Sequence, residues 1–313
     1  CKVINKINFI NIKNRFLLLN NLKMSNQQRK WWYLAVLSLI WGSSFILMKK
    51  ALISLSPIQV ASLRTLIASI FVILIGFKSL QNIKKRHWKY ISLSALVGTF
   101  FPAFLFAYAI KGIDSSIASI LNSLTPFNTF IIGALVFGFA FKKKQFIGIM
   151  IGLVGTLILI LKGADLNPNQ NYWYALLPII ASIGYAFNVN IIKKHLHDLN
   201  GLTITVGHFV LVIIPTLIIL SCTGFFTEFE LNSETKPALL YIVVLSIFGT
   251  AIAKVMFNNM VHISSPIFAS SVTYLIPIVA VMWGIIDGEK LSFIQLFAGG
   301  IILFGVWMVN KAK

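Results

Sequence analysis

The sequence predicts an all-α membrane protein of ten transmembrane helices arranged as two inverted five-helix repeats. Three observations carry the prediction. Apolar residues make up 58% of the 313 positions and charged residues only 11%, far from the balance of a water-soluble domain. Apolar runs long enough to cross a bilayer as helices recur along the whole chain. And the block Gly98–Gly133 returns at a fixed displacement of 151 positions: Gly98-Thr99 as Gly249-Thr250, Phe106 as Phe257, Ala118-Ser119 as Ala269-Ser270, Leu124 as Leu275, Pro126 as Pro277 and Gly133 as Gly284. Apolar stretches match by chance. Gly-Thr, Ala-Ser and Pro pairs at one gapless offset mark an internal duplication.

Residues 1–30 form a basic N-terminal segment. Its apolar patch, Phe16–Leu19, is too short for a signal-peptide core, and residues 1–23 differ in composition from the rest, so the native start is expected at Met24. Ten spans follow, near 31–49, 57–77, 88–110, 115–138, 145–162, 172–192, 202–224, 238–260, 265–286 and 292–310. Interfacial aromatics mark the entries of the first, third and sixth: Trp31-Trp32-Tyr33, Trp88 with Tyr90, and Tyr172-Trp173-Tyr174. The connections leave no room for a soluble domain. The first repeat is expected over 31–162 and the second over 172–311.

The net charge of +19 does not point to nucleic acid, because the basic residues sit in short loops between apolar runs, as on the cytoplasmic face of a membrane protein. With the N-terminus inside, the outer loops hold only Lys49, Lys50, Lys111, Lys162, Lys236 and Lys290. Arg64 and Lys254 lie within spans, and the other 19 of the 27 basic residues fall inside. Both termini are therefore expected in the cytoplasm. A duplicated unit with an odd number of spans must insert its two copies with opposite orientation, an arrangement common in secondary transporters, where the solute site lies at the midplane between the repeats.

Several motifs stand in a recognisable order: Trp41-Gly42-Ser43-Ser44-Phe45 in the first span, Pro57 with Arg64 in the second, the Ala-Ser…Leu-x-Pro signature twice, and the closing stretch Gly288–Val306. Over residues 31–311 the chain resembles the EamA branch of the drug/metabolite transporter superfamily. The resemblance implies ten helices in inverted repeats, a central cavity, a bacterial plasma membrane location, and transport of small metabolites, often export of amino acids or related compounds. One departure stands out. The family often carries an acidic residue after the fourth helix, as Glu289 stands after the ninth, but here that region reads FGFAFKKKQ, so Glu289 has no counterpart in the first half.

The candidate site residues lie within the spans. Pro126 and Pro277 each remove a backbone donor and free a carbonyl one turn earlier, which in lipid must find a partner in protein or a wet cavity. Asn122 shares a face with Pro126, and Thr273 and Tyr274 share one with Pro277. These faces read as a polar cavity wall, with tight packing of small residues as the alternative. Lys254 is an ionisable group inside a span and so a functional-site candidate, suited to binding an anionic group such as a carboxylate or to titrating in proton coupling. Snorkelling to the headgroups is the alternative. Thr250, Lys254 and Asn258 are spaced to share one helix face. Trp41, Tyr108, Tyr185 and Asn188 lie on spans that line the cavity in the fold the resemblance implies. Arg64 is expected to play a structural role. His208 reads as a buried histidine with its bonds satisfied. Glycine seams at Gly148, Gly152 and Gly155 and at Gly299, Gly300 and Gly305 read as close helix packing.

No phosphate-binding GxxxxGK[ST] loop, HExxH pair or TVGYG filter is present, and Cys1 and Cys222 give no disulfide or metal spacing. No cofactor, metal or nucleic-acid partner is expected. The reading is a secondary transporter, most simply an exporter, of small amphipathic solutes by alternating access, with protons as a candidate coupling ion. It works as a monomer or as a homodimer joined through the glycine seams. The rival readings are an enzyme acting on lipid-linked substrates, disfavoured by only eight acidic residues in all, and a channel-like permease, for which no continuous pore ring is visible and against which two five-helix repeats favour alternation.

Overall fold

A computed structural model describes residues 24–140, 143–166, 171–233, 235–289 and 293–311. The expected upstream segment 1–23 and the loop lysines Lys142, Lys290 and Lys313 lie outside these residues. Within them the protein is helical, with no strand. Among the described residues, eight helices are long and apolar enough to cross a membrane: α1 (Asn26–Ala51), α2 (Pro57–Asn82), α3 (Lys85–Gly112), α4 (Ser115–Leu135), α6 (Trp173–His195), α7 (Gly201–Ser221), α8 (Thr235–Ile263) and α9 (Pro266–Ile286). The spans expected near 145–162 and 292–310 fall on two further helices, α5 (Lys143–Leu166) and α10 (Phe293–Lys311).

Local chemistry explains where the helices begin. Ser25 and Ser56 each accept from the backbone N–H three residues on, and Gln28 and Gln59 reach back to the cap residue's own N–H. Both are reciprocal capping boxes that satisfy two orphan donors. Asn200 and Ser265 cap α7 and α9 in the simpler way, accepting from Thr203 and Phe268 N–H groups at 2.8 and 3.1 Å.

Packing follows a regular scheme. α1 packs on α9 and α4 on α6; α3 packs on α6 and α8 on α1; α2 packs on α7 and α5 on α10. Exchanging the first five helices for the last five turns this set of neighbours into itself. In the α5–α10 pair the backbones come close: a Cβ on Gly305 would lie 2.6 Å from the Gly148 carbonyl oxygen and from the Gly152 nitrogen. The seam expected on α10 is thus real at Gly305. Gly299 and Gly300 meet nothing within 4 Å among the described residues.

Buried apolar side chains form two main layers. One, containing Met48, Leu52, Leu55, Ile113 and Ile117, fills the end of the bundle where α1 finishes on Lys49 and Lys50. The other, containing Tyr33, Leu34, Leu196 and Leu199, fills the end where α6 finishes on Lys193 and Lys194. Trp41 packs against both layers, and the polar interior lies between them.

Candidate functional site

Three of the helices around this interior are irregular at the duplicated positions. α3 widens into a π turn over Leu96–Phe100 and α8 over Leu245–Ile252. These turns contain Gly98-Thr99 and Gly249-Thr250. In each, the glycine lets a side chain of the opposite half approach the backbone. A Cβ on Gly98 would meet Asn188 at 2.3 Å, and one on Gly249 would meet the Ser44 hydroxyl at 2.5 Å. α4 tightens into a 3-10 turn at Asn122–Leu124, just before Pro126. π turns and 3-10 breaks leave carbonyls without their α-helical partner.

A cavity of about 100 Å³ lies among these irregularities, room for a small solute or several waters. Both halves line it. Of the residues singled out in the sequence, the structure brings Trp41, Arg64, Asn122, Tyr185, Asn188, Thr250, Lys254 and Thr273 to its wall. Five hydrogen bonds tie that wall across the halves. Trp41 Nε1 donates to the Gly249 carbonyl at 2.9 Å, Arg64 Nε to Thr250 Oγ1 at 2.6 Å, Lys254 Nζ to the Gly98 carbonyl at 2.5 Å, Ser94 Oγ to Asn188 Oδ1 at 2.6 Å, and Ser123 Oγ to the Thr273 carbonyl at 2.9 Å. Aromatic pairs frame the rest. Trp41 and Phe257 have ring centroids 5.2 Å apart, and Phe106 and Tyr185 stack at 6.1 Å.

The carbonyls freed by the prolines have partners, as the physics of a lipid environment demands. Pro277 releases Thr273, which accepts from Ser123, and Pro126 releases Asn122, which accepts from Thr125 Oγ1 at 2.7 Å. Arg64 bonds through Nε to Thr250, so its side chain lies in the cavity wall and not only in the scaffold.

Five candidate residues do not reach the cavity. Pro126 and Pro277 are buried but shape the wall rather than line it. Tyr274 turns to the other side of α9, where it packs with Ile120 and Ala298 and lies beside Gly152. Asn258 lies one turn beyond Lys254 and donates to Thr205 on α7 at 3.0 Å. Tyr108 is 40% exposed, on the outside of α3. His208 differs from expectation in another way: it is fully buried, and neither ring nitrogen has a partner among the described residues.

Sequence reasoning missed Ser94, Thr99 and Ser123, all buried and polar. Ser123 had a usable signal. A carbonyl freed by Pro277 needs a donor, and the matching helix of the other half supplies a hydroxyl at the neighbouring level.

A polytopic helical protein with a cavity of mixed polar and apolar lining built jointly by two halves has the form of a membrane transporter. Family comparison agrees: the model of the EamA-like transporter family matches residues 29–161 and 172–311, and the chain belongs to that family. Among its relatives is the uncharacterized inner membrane transporter YedA of Escherichia coli K12, 28% identical over 288 residues, covering 90% of each chain. An uncharacterized transporter of Archaeoglobus fulgidus is 26% identical and covers 91% of this chain and 100% of its own length. The S-adenosylmethionine/S-adenosylhomocysteine transporter of Chlamydia muridarum is 23% identical over 86% of this chain and 88% of its own. A crystal structure superposes with a TM-score of 0.61 at 16% identity, over 87% of this chain and 96% of that one, a likeness of fold alone.

Proposed function

We propose that the protein is a secondary transporter that exports small metabolites across a bacterial plasma membrane by alternating access. In this reading ten spans form two inverted five-helix repeats, residues 31–162 and 172–311, with both termini in the cytoplasm, and the cavity is the solute site. The observation that carries the reading is the set of five hydrogen bonds that join the two halves around one cavity. Rocking of one half against the other must make and break contacts at that seam. The two apolar layers on either side of the cavity supply the gates, since parting one while the other stays packed opens the site to a single face. The exchange of helix neighbours between halves supports an equivalent opening at each end.

Lys254 is the residue most exposed to test. An ammonium within a span, 8% exposed and held on a carbonyl of the other half, belongs to the moving seam and to the solute. Reconstituted in proteoliposomes, the Lys254→Ala and Lys254→Met variants lose flux of the wild-type solute while keeping the wild-type gel-filtration profile. Unchanged flux in both variants would remove Lys254 from the site. A solute panel with and without a pH gradient, including S-adenosylmethionine as the cargo named for the Chlamydia relative, identifies the solute and decides whether protons drive it. If no member moves faster than in protein-free vesicles, the transporter reading fails.

A further inference from the structure

Resting on the reading of this cavity as the solute site, we infer that the solute is an organic anion: a carboxylate or similar oxyanion on an apolar or aromatic body, with no ammonium group. The reason lies in which hydrogen-bonding groups are already used. Helix irregularities in a transporter wall offer carbonyls that suit a cation. Here four carbonyls at these irregularities are each held by the protein: Gly98 by Lys254, Gly249 by Trp41, Asn122 by Thr125 and Thr273 by Ser123. Two side-chain acceptors in the wall are engaged as well. Asn188 Oδ1 takes the Ser94 hydroxyl and Thr250 Oγ1 takes Arg64 Nε.

What is left over can donate. Asn188 Nδ2 and the Thr99 hydroxyl are buried at the cavity and have no partner among the described residues. Arg64 uses only Nε in the bond to Thr250, and a lysine ammonium has two further N–H groups beyond the one given to Gly98. A fully buried polar group without a partner costs free energy that a ligand of matching polarity returns. Among the described lining residues there is no Asp or Glu. Arginine stays charged at every pH a cell meets. An ammonium entering the cavity therefore meets a like charge and finds no carboxylate, which is the costly case for a desolvated ion. An oxyanion meets the reverse, with a planar guanidinium suited to it. The Trp41–Phe257 and Phe106–Tyr185 pairs give the solute's body an aromatic surface.

The test uses three ligands that share a phenyl ring and a short chain and differ in charge: phenylpropionate, phenylalanine and phenethylamine. Titration calorimetry on the full chain in detergent is expected to rank them in that order, with phenylpropionate about tenfold or more tighter than phenylalanine, the discrimination one charged hydrogen bond carries. Lys254→Gln lowers phenylpropionate affinity by about tenfold on the same basis, and Lys254→Arg restores it, which separates loss of the cation from loss of fold. Equal or tighter binding of phenylalanine or phenethylamine overturns the inference. So does failure of phenylpropionate to bind, or a Lys254→Gln variant with wild-type affinity. The outcomes separate the two readings. Flux of an amino acid or amine in proteoliposomes sinks the anion preference and leaves a transporter. Selective phenylpropionate binding with no flux of any solute keeps the preference and sinks the transporter.

Discussion

α1 ends on Lys49 and Lys50, and α6 ends on Lys193 and Lys194, so the first helix of each half finishes on a lysine pair. The two pairs sit at opposite ends of the bundle, one near Ser115 at the start of α4 and the other near Phe137 just past its end. Their partners differ in kind. Lys49 pairs with Glu289 and Asp287 at 2.8 and 2.9 Å, Lys50 pairs with Asp287, and Glu289 also accepts from Ser115 at 2.8 Å and from Ser116. Lys193 instead donates to the carbonyls of Val261, His262 and Ser264 at the end of α8, and Lys194 to the carbonyl of Phe137 at 2.7 Å. One residue accounts for much of the difference. α4 and α9 are each followed by a glycine at positive φ, Gly138 at 69° and Gly288 at 89°. The next residue folds its N–H back onto the duplicated glycine, Phe139 onto Gly133 and Glu289 onto Gly284. Where one copy has Glu289, the other has Phe139. The lysines follow: given a carboxylate they form a side-chain clamp, and without one they use the fixed negative ends of helices.

The sharpest way to break the contrast is Glu289→Ala. It leaves Lys49 with one carboxylate and strips the acceptor from two buried serine hydroxyls. A loss of about 2–4 kcal/mol of stability is expected, at the lower end because the Lys49 side chain is 31% exposed. Thermal unfolding of the purified protein measures it. Acidification should act on this clamp, although the other end also carries a lowered carboxyl, Asp198, paired with Arg86 at 2.6 Å. Burial pushes the Glu289 carboxyl up, but hydrogen bonds from Lys49, Ser116 and Ser115 outweigh it and hold it below the ordinary glutamate range. Asp287 is held low first by Lys50 and then by Lys49. A carboxylate depressed in the folded state stabilises fully above its unfolded pKa and loses that contribution as pH falls through the folded value. Tm should therefore decline from about pH 5 downward, and less steeply in Glu289→Gln. A decline of equal slope in that variant would place the acid sensitivity elsewhere. Lys193→Ala gives the smallest effect, about 1–2 kcal/mol for hydrogen bonds from one half-buried cation, and no change in the slope of Tm against pH over the same range.

Much of the helical plan was legible in the residues. Interfacial aromatics, the Ser-x-x-Gln caps and apolar length are local signals, and the expected spans at 57–77, 115–138 and 202–224 differ from the helices only at their ends. The helices depart from regularity at the duplicated Gly98-Thr99 and just before Pro126, positions the sequence marked only as a repeat. The direction of that departure was not legible. The π turn at Gly98 lies against Asn188 of α6, and the one at Gly249 against Ser44 of α1, contacts between residues far apart in sequence. For the same reason helical spacing misplaced some of the wall. Thr273 and Tyr274 are neighbours in sequence, yet Thr273 lines the cavity while Tyr274 packs beside Gly152. Spacing gives the angle between residues on one helix, and only its neighbours decide which angle faces inward.

The two π turns also set an angle. Each holds one residue more than regular α geometry needs, and one residue of α-helix corresponds to about 100° of rotation. Removing a single residue within Leu96–Phe100 would let α3 run on as a plain helix, with everything beyond the turn swung by that amount. Ala103 and Phe106, which now line the cavity, would point elsewhere although their own sequence was untouched. The duplicated Gly-Thr is in this sense a phase adjuster. It keeps two stretches of one helix in different rotational registers, so that the base of α3 can pack on its neighbours while its upper part faces the solute.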